Sequence, residues 1–335
     1  MKSTVINIYN KMKMKISTGM IFGMRQDQFM KKYGITLVLL IMVIVVSIGS
    51  PTFRTAANML SVLQQISVNG VLALGMVFVI TSGEIDLSIG SLLALTGVIV
   101  GQVLKATGSM FLAITIPIIV CAFFGFLNGF LVARFNMFSF VVTLSTQLVI
   151  RGVGYILSQG KSMSLAHPDF RKIGLGRIGG TIPNSVLILL GVAIIAYFLL
   201  HWTKFGRYIY AVGGNKQAAL ASGVDVFWTK VGAFVIMGIT SGIAGVILTS
   251  RINAAQPNIG VGYETDAIAA CVIGGTSFAG GVATIPGTLI GIIIIGVIYN
   301  GMNLLQIDSY YQVIVKGALI IGAVMLDKFL SRKRS

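Results

Sequence analysis

Residues 83–90 read Gly83-Glu84-Ile85-Asp86-Leu87-Ser88-Ile89-Gly90. They lie between two apolar runs, roughly 64–82 and 87–104. Two carboxylates flanked by glycines point to a break between helices, with Ser88 capping the second one. The competing reading is a short interfacial turn with solvated acids. Both readings require apolar helices on either side, and the rest of the chain supplies more of them. A membrane helix needs about 20 mostly apolar residues. Ten segments come close: roughly 35–50, 64–82, 87–104, 109–133, 138–157, 184–202, 230–250, 265–279, 283–303 and 310–327. The first, third and eighth are short or glycine-interrupted, which bounds the count at eight to ten.

Composition agrees. Of 335 residues, 56% are hydrophobic and 10% charged, against about a quarter charged in soluble domains. An ordinary cytosolic enzyme, a disordered chain and a nucleic-acid-binding domain are excluded. The expected fold is an all-α polytopic membrane protein of about ten transmembrane helices, some broken or short, forming one domain over residues 35–328.

The net charge of +16 tests the count, because cytoplasmic loops collect Lys and Arg. With residues 1–34 inside, ten crossings place sixteen of the 25 basic residues on the cytoplasmic side. Seven fall outside, and Arg151 and Lys316 fall within spans. The excess thus orients both termini to the cytoplasm and meets anionic membrane lipids rather than nucleic acid. The loop 158–183, expected outside, runs against the pattern with four basic residues. Residues 1–34 read as a basic cytoplasmic segment rather than a signal peptide, and 329–335 as a basic tail.

Cys121 and Cys271, both in apolar runs, and the distant His167 and His201 give no metal or disulfide framework. The glycine pairs Gly97/Gly101, Gly125/Gly129, Gly238/Gly242 and Gly287/Gly291 have the four-residue spacing that lets helices approach closely in lipid.

Polar groups at depth are costly and usually face a partner or a cavity. Besides Glu84, Asp86 and Ser88, they include Glu264-Thr265-Asp266, which opens a segment containing Gly274-Gly275-Thr276-Ser277-Phe278-Ala279-Gly280-Gly281. Asn69, Asn128, Gln147, Arg151, Asn300 and Lys316 are scattered through spans. Each of these reads first as an interhelical hydrogen bond and second as a ligand contact. Offset by 191 residues, the block 83–90 overlies 274–281 as a weak repeat, and the span count puts both on one side. Broken helices at matching places in two halves point to a transport path. Whether the halves are inverted or parallel stays open. The path candidates are Asn69, Glu84, Asp86, Ser88, Gln147, Glu264, Asp266, Thr276 and Ser277. An ion-driven secondary transporter using Glu84, Asp86 or Glu264 is the alternative, and an intramembrane enzyme using Glu84 and Asp86 is more remote.

The longest inside loop spans 203–229. Gly213-Gly214 interrupts it, Asn215 suits an N-cap, Lys216–Ala221 has high helix propensity, and Gly223 ends the stretch. A short helix presented to the cytoplasm suits docking onto a partner. Gly160-Lys161-Ser162 has Tyr155 where a phosphate loop needs glycine, so nucleotide chemistry is expected from another polypeptide.

Three blocks in this order carry a resemblance: Gly83–Gly90, Gly213-Gly214-Asn215 with Ala218-Ala219 and Ser222-Gly223, and Gly274–Gly281. The chain resembles the permease subunits of carbohydrate-type ABC importers, the group that includes the ribose permease. The resemblance covers nearly everything after about residue 30. It implies pairing with a second permease copy, docking of two ABC ATPase subunits that bind ATP and Mg, and delivery of sugar by an extracytoplasmic binding protein. It implies no cofactor in this chain. It also makes Asn215–Gly223 the coupling helix, with Gly213, Gly214, Asn215, Ala218, Ala219, Ser222 and Gly223 as coupling residues.

Overall fold

The fold was obtained as a computed structural model that describes residues 20–21, 24–165 and 167–331. Most of the basic segment expected over 1–34 (1–19 and 22–23), and the end of the tail (332–335), lie outside the described residues. Thirteen helices are present among the described residues. In chain order they are α1 (Gln26–Gly49), α2 (Ala56–Thr81), α3 (Ile89–Thr107), α4 (Met110–Phe135), α5 (Ser139–Ser158), α6 (Pro168–Leu175) and α7 (Asn184–Trp202). They continue as α8 (Lys204–Gly214), α9 (Lys216–Ala221), α10 (Val226–Ile252), α11 (Tyr263–Ile273), α12 (Ile285–Leu304) and α13 (Ser309–Ser331). Seven of them, α2, α3, α4, α5, α7, α10 and α12, are long and apolar enough to cross a membrane.

Local chemistry sets the helix boundaries. Thr55, Ser109, Asp225 and Thr284 each accept a hydrogen bond from a backbone N–H in the first turn of α2, α4, α10 and α12. Asn136 and Asn253 end α4 and α10 in the left-handed conformation that asparagine tolerates.

Packing runs through glycine, as its spacing predicts. A Cβ on Gly125 or Gly238 would strike the carbonyl oxygen of Phe234 or Cys121. One on Gly129 or Gly242 would come within 3 Å of the Cα of Val231 or Ile118. Two glycine pairs thus face each other along antiparallel α4 and α10. Gly287 and Gly291 bring α12 against the backbone of Gly274 and Ala270, and Gly97 seats Thr249 of α10 on α3. Phe78, Leu72, Leu93 and Phe234, from α2, α3 and α10, are among the largest fully buried side chains.

Long-range contacts sort the helix ends onto two faces. Lys216 donates to Asn136 (2.7 Å) and Gly281 N–H to Thr81 (2.9 Å), so the ends of α2 and α4 lie on the face that carries α9. Gln102 reaches Leu157 (2.8 Å), and the two-residue strands Met163–Ser164 and Ala254–Ala255 pair antiparallel. The ends of α3, α5 and α10 therefore lie on the opposite face. Reciprocal amide bonds between Asn58 and Asn300 (3.0 and 2.9 Å) hold the start of α2 to α12 there. Gly301 packs on Val46 and brings the end of α1 to the same level.

The expectation that residues 265–279 form a span is corrected. Only Tyr263–Ile273 is helical, eleven residues or about 16 Å, and a loop follows to Thr284. The missing length comes from residues 253–262. After α10 reaches the far face, the chain turns back along α3. Ala255 packs beside Gly101, yet Gly260 touches Gly90, eleven residues and about 16 Å deeper. α11 then continues to the α9 face. With this composite pass, α1 and α13 beside the seven long apolar helices make ten passes between the two faces, and α1 and α13 both have their outer ends on the α9 face.

The first half does the same in the opposite sense. α2 reaches the α9 face, residues 82–88 turn back to mid-depth, and α3 goes on to the far face. The two halves are inverted. Their sequence twins are Thr81-Ser82…Ile89-Gly90 and Thr249-Ser250…Ile259-Gly260. The 191-residue offset is thereby corrected: 274–281 is not the structural counterpart of 83–90, although the two touch.

Candidate functional site

Two centres bring the sequence-predicted residues together. The first is a glycine junction on the α9 face. Gly213, at the end of α8, approaches so closely that a Cβ would strike the Thr81 carbonyl. A Cβ on Gly280 would lie 3.1 Å from the Cα atoms of both Gly213 and Gly83, and one on Gly281 2.7 Å from the Cα of Gly214. Tyr210 OH donates to the Ala283 carbonyl (2.9 Å). All three sequence blocks thus meet at one point.

The short helix α9, expected from the sequence to dock a partner, hangs from this junction. Asn215 Oδ1 accepts the Ala218 N–H (3.0 Å), and Gly223 leaves the helix at φ +77°. Ala218, Leu220 and Ser222 are exposed. Ala219, expected to face a partner, instead points inward against Val212 and Val226. A six-residue helix needs such an anchor, and Ala219 supplies its only buried side chain. Lys230, one turn beyond Val226, forms an ion pair with Glu84.

The second centre is the mid-depth crossing of the two re-entrant segments. A Cβ on Gly90 would strike the Gly260 carbonyl, and one on Gly260 the Gly90 carbonyl. Irregular backbone at this depth must find partners inside the protein, and side chains provide them. Ile85 N–H donates to Ser139 Oγ and Leu87 N–H to Thr143 Oγ1 (3.1 Å each). Arg151 donates to the carbonyls of Pro257 (2.8 Å) and Ile259 (2.6 Å).

Ser88 does not cap α3. Asp86 Oδ1 instead accepts both the Ser88 N–H (2.8 Å) and its hydroxyl (2.6 Å), and Asn128 donates to Ser88 Oγ (3.0 Å). The Asp-x-Ser turn takes over the cap because it satisfies backbone and side chain together. Asp86 is fully buried, so the reading of solvated acids in an interfacial turn does not hold.

The remaining candidates separate. Glu264 lies at the crossing, where a Cβ on Gly90 would stand 2.7 Å from its Oε2. Asp266 lies away from it, paired with Lys316 (2.8 Å) and accepting Tyr299 OH (2.8 Å). Thr276 and Ser277 belong to the loop at the glycine junction, where Ser277 N–H donates to Val282 (2.9 Å). Asn69 is half-buried in α2 and Gln147 half-buried in α5. Sequence reasoning treated Arg151 as one stray polar residue among several. A charge inside a span requires a partner, and that rule could have drawn it to the irregular segment.

Residues 58–324 match the family described as branched-chain amino acid transport system permease components. The chain belongs to this permease family. It is 42% identical over 300 residues to the ribose import permease protein RbsC of Haemophilus influenzae, covering 88% of this chain and 93% of that protein. It is 44% identical over 304 residues to RbsC of Bacillus subtilis, covering 90% and 94%. It is also 40% identical over 306 residues to the D-allose transport system permease protein AlsC of Escherichia coli, covering 91% and 94%. No solved structure shows a significant match. The permease is therefore a multi-pass membrane protein whose relatives are transport subunits.

Proposed function

We propose that this permease carries a monosaccharide, ribose or a similar sugar, through the bacterial cytoplasmic membrane as the membrane subunit of an ABC importer. The family description mentions amino acids, but relatives at 40–44% identity over nearly the whole chain are sugar permeases. That likeness carries the substrate class. The coupling assignment rests on geometry: an exposed short helix joined through closely packed glycines to both halves of the bundle.

On this reading α9 faces the cytoplasm and receives an ABC ATPase subunit, which binds the ATP and Mg. Both termini share that side. Two copies pair in the membrane, and a binding protein presents sugar at the opposite face. The chain does no bond chemistry itself. It offers the sugar different contacts in two conformations, and ATP biases between them. Discontinuous segments meeting at mid-depth between inverted halves are where transporters place their substrate path, which makes the Gly90/Gly260 crossing the path's narrow point.

Leu220→Glu tests the coupling helix. Leu220 is exposed, so the change leaves the fold intact and puts a charge into the dock. A hot-spot loss of about 2 kcal/mol weakens docking about 30-fold. Sugar uptake by cells should fall at least tenfold while membrane insertion is unchanged, and ATPase should no longer co-purify. Normal uptake with the ATPase still bound would refute the assignment.

A further inference from the structure

One helix supports both re-entrant segments, and it does so at regular spacing. Ser139 and Thr143 of α5 accept from the first segment, and Arg151 donates to the second. Gln147 completes the four-residue series. Four residues advance about 6 Å along a helix and stay on one side. Gln147 therefore stands one turn beyond the support of Leu87 and one turn short of the support of Ile259. The segments touch at Gly90 and Gly260, three residues past Leu87 and one past Ile259, which is the level of Gln147.

Unlike the rest of the series, Gln147 has no hydrogen-bond partner among the described residues, and its amide atoms are not sealed from the surface. At the same crossing, Arg151 Nη2 and Glu264 Oε2 are enclosed and also unpartnered. An unpaired amide is costly in hydrocarbon. A half-buried, unpartnered amide at this level, able both to donate and to accept, matches a molecule dense in hydroxyls, each of which does the same.

We propose that Gln147 contacts the hydroxyl groups of a monosaccharide at the midpoint of its passage, next to the Gly90/Gly260 crossing. This rests on the sugar-permease reading above. The test is transport by the complete complex (permease, ATPase and binding protein) in proteoliposomes, with D-ribose and D-allose as probes. Uptake and ATP hydrolysis are measured for wild type, Gln147→Leu and Gln147→Asn.

Gln147→Leu keeps the size and removes both polar functions. Uptake is expected to fall about tenfold, the size of one lost hydrogen bond, with ATP hydrolysis within about twofold of wild type. More ATP is then spent per sugar, and the ribose-to-allose ratio shifts. Gln147→Asn should recover part of the uptake. If Gln147 faces lipid, Gln147→Leu transports as well as wild type, and the contact is refuted. If Gln147 instead pairs two copies, uptake and hydrolysis fall together with loss of the permease dimer on gel filtration, which also refutes it. A wild-type complex that carries neither sugar overturns the sugar reading and this contact with it.

Discussion

Lys230→Met is expected to abolish uptake, and the charge swap Glu84→Lys with Lys230→Glu to restore much of it. The pair is nearly enclosed, with side chains 11% and 13% exposed. Removing one member of such a pair leaves the other charge buried and uncompensated, at a cost of about 3–5 kcal/mol. The swap removes that cost while keeping both volumes close. The position makes the loss functional as well as structural. Glu84 belongs to the first re-entrant segment, and its N–H is tied to the end of α2 (3.1 Å to Val79). Lys230 stands one turn above Val226, which packs on Ala219 of α9. The ion pair thus joins the first re-entrant segment to the turn of α10 that packs on α9, beside the links made at the glycine junction.

A double-mutant cycle separates packing from pairing, because only the pairing is restored by the swap. The measurements are uptake, ATP hydrolysis and thermal stability in detergent for both single variants and the swap. Wild-type uptake in Lys230→Met would remove the contact from the transport cycle. So would a swap no better than its single parents.

Glu84 shows where sequence reasoning stops. That a carboxylate follows an apolar span was legible, but its partner lies 146 residues away and no local pattern links them. Features that depend on local chemistry were read correctly. Asn215 caps α9, the glycine pairs lie at close contacts, and the apolar runs other than 265–279 are helices. Residues 253–262 drew no notice as part of a span because Asn253, Gln256, Pro257 and Asn258 have the composition of a surface loop. Their depth is set by Arg151 and by the glycine contact, both long-range. The wrong repeat offset has the same origin. Glycine turns on one face resemble each other more than inverted halves do, since those share little beyond Thr-Ser and Ile-Gly. Asp266 and Lys316 were each noted as polar residues at depth, and only the fold shows that they answer each other.

Gly260→Ala should be strongly damaging, and more so than Gly90→Ala on the other side of the crossing. At Gly260 two costs add. Its φ of +86° lies where an L side chain is strained by about 1–2 kcal/mol, and the new carbon would strike the Gly90 carbonyl. Gly90 lies within α3, so alanine there costs nothing in conformation and meets only the Gly260 carbonyl and the Glu264 carboxylate. The nearer obstacle, the Gly260 carbonyl, is backbone and cannot swing aside. Gly260 belongs to the segment held by Arg151, and relief requires two backbones to part.

Gly191 of α7 provides the control. A carbon added there meets nothing within 4 Å, and alanine in a helix gains up to about 1 kcal/mol over glycine. Gly191→Ala should therefore leave uptake unchanged and raise thermal stability slightly, Gly90→Ala should lower uptake at least tenfold, and Gly260→Ala should lower both uptake and stability. The contrast isolates the crossing, since all three changes add the same single carbon. If Gly90→Ala transports like Gly191→Ala, the segments part freely at no cost and the crossing is not the narrow point. If it fails while remaining as stable as wild type, the loss lies in the separation of the two segments that transport requires.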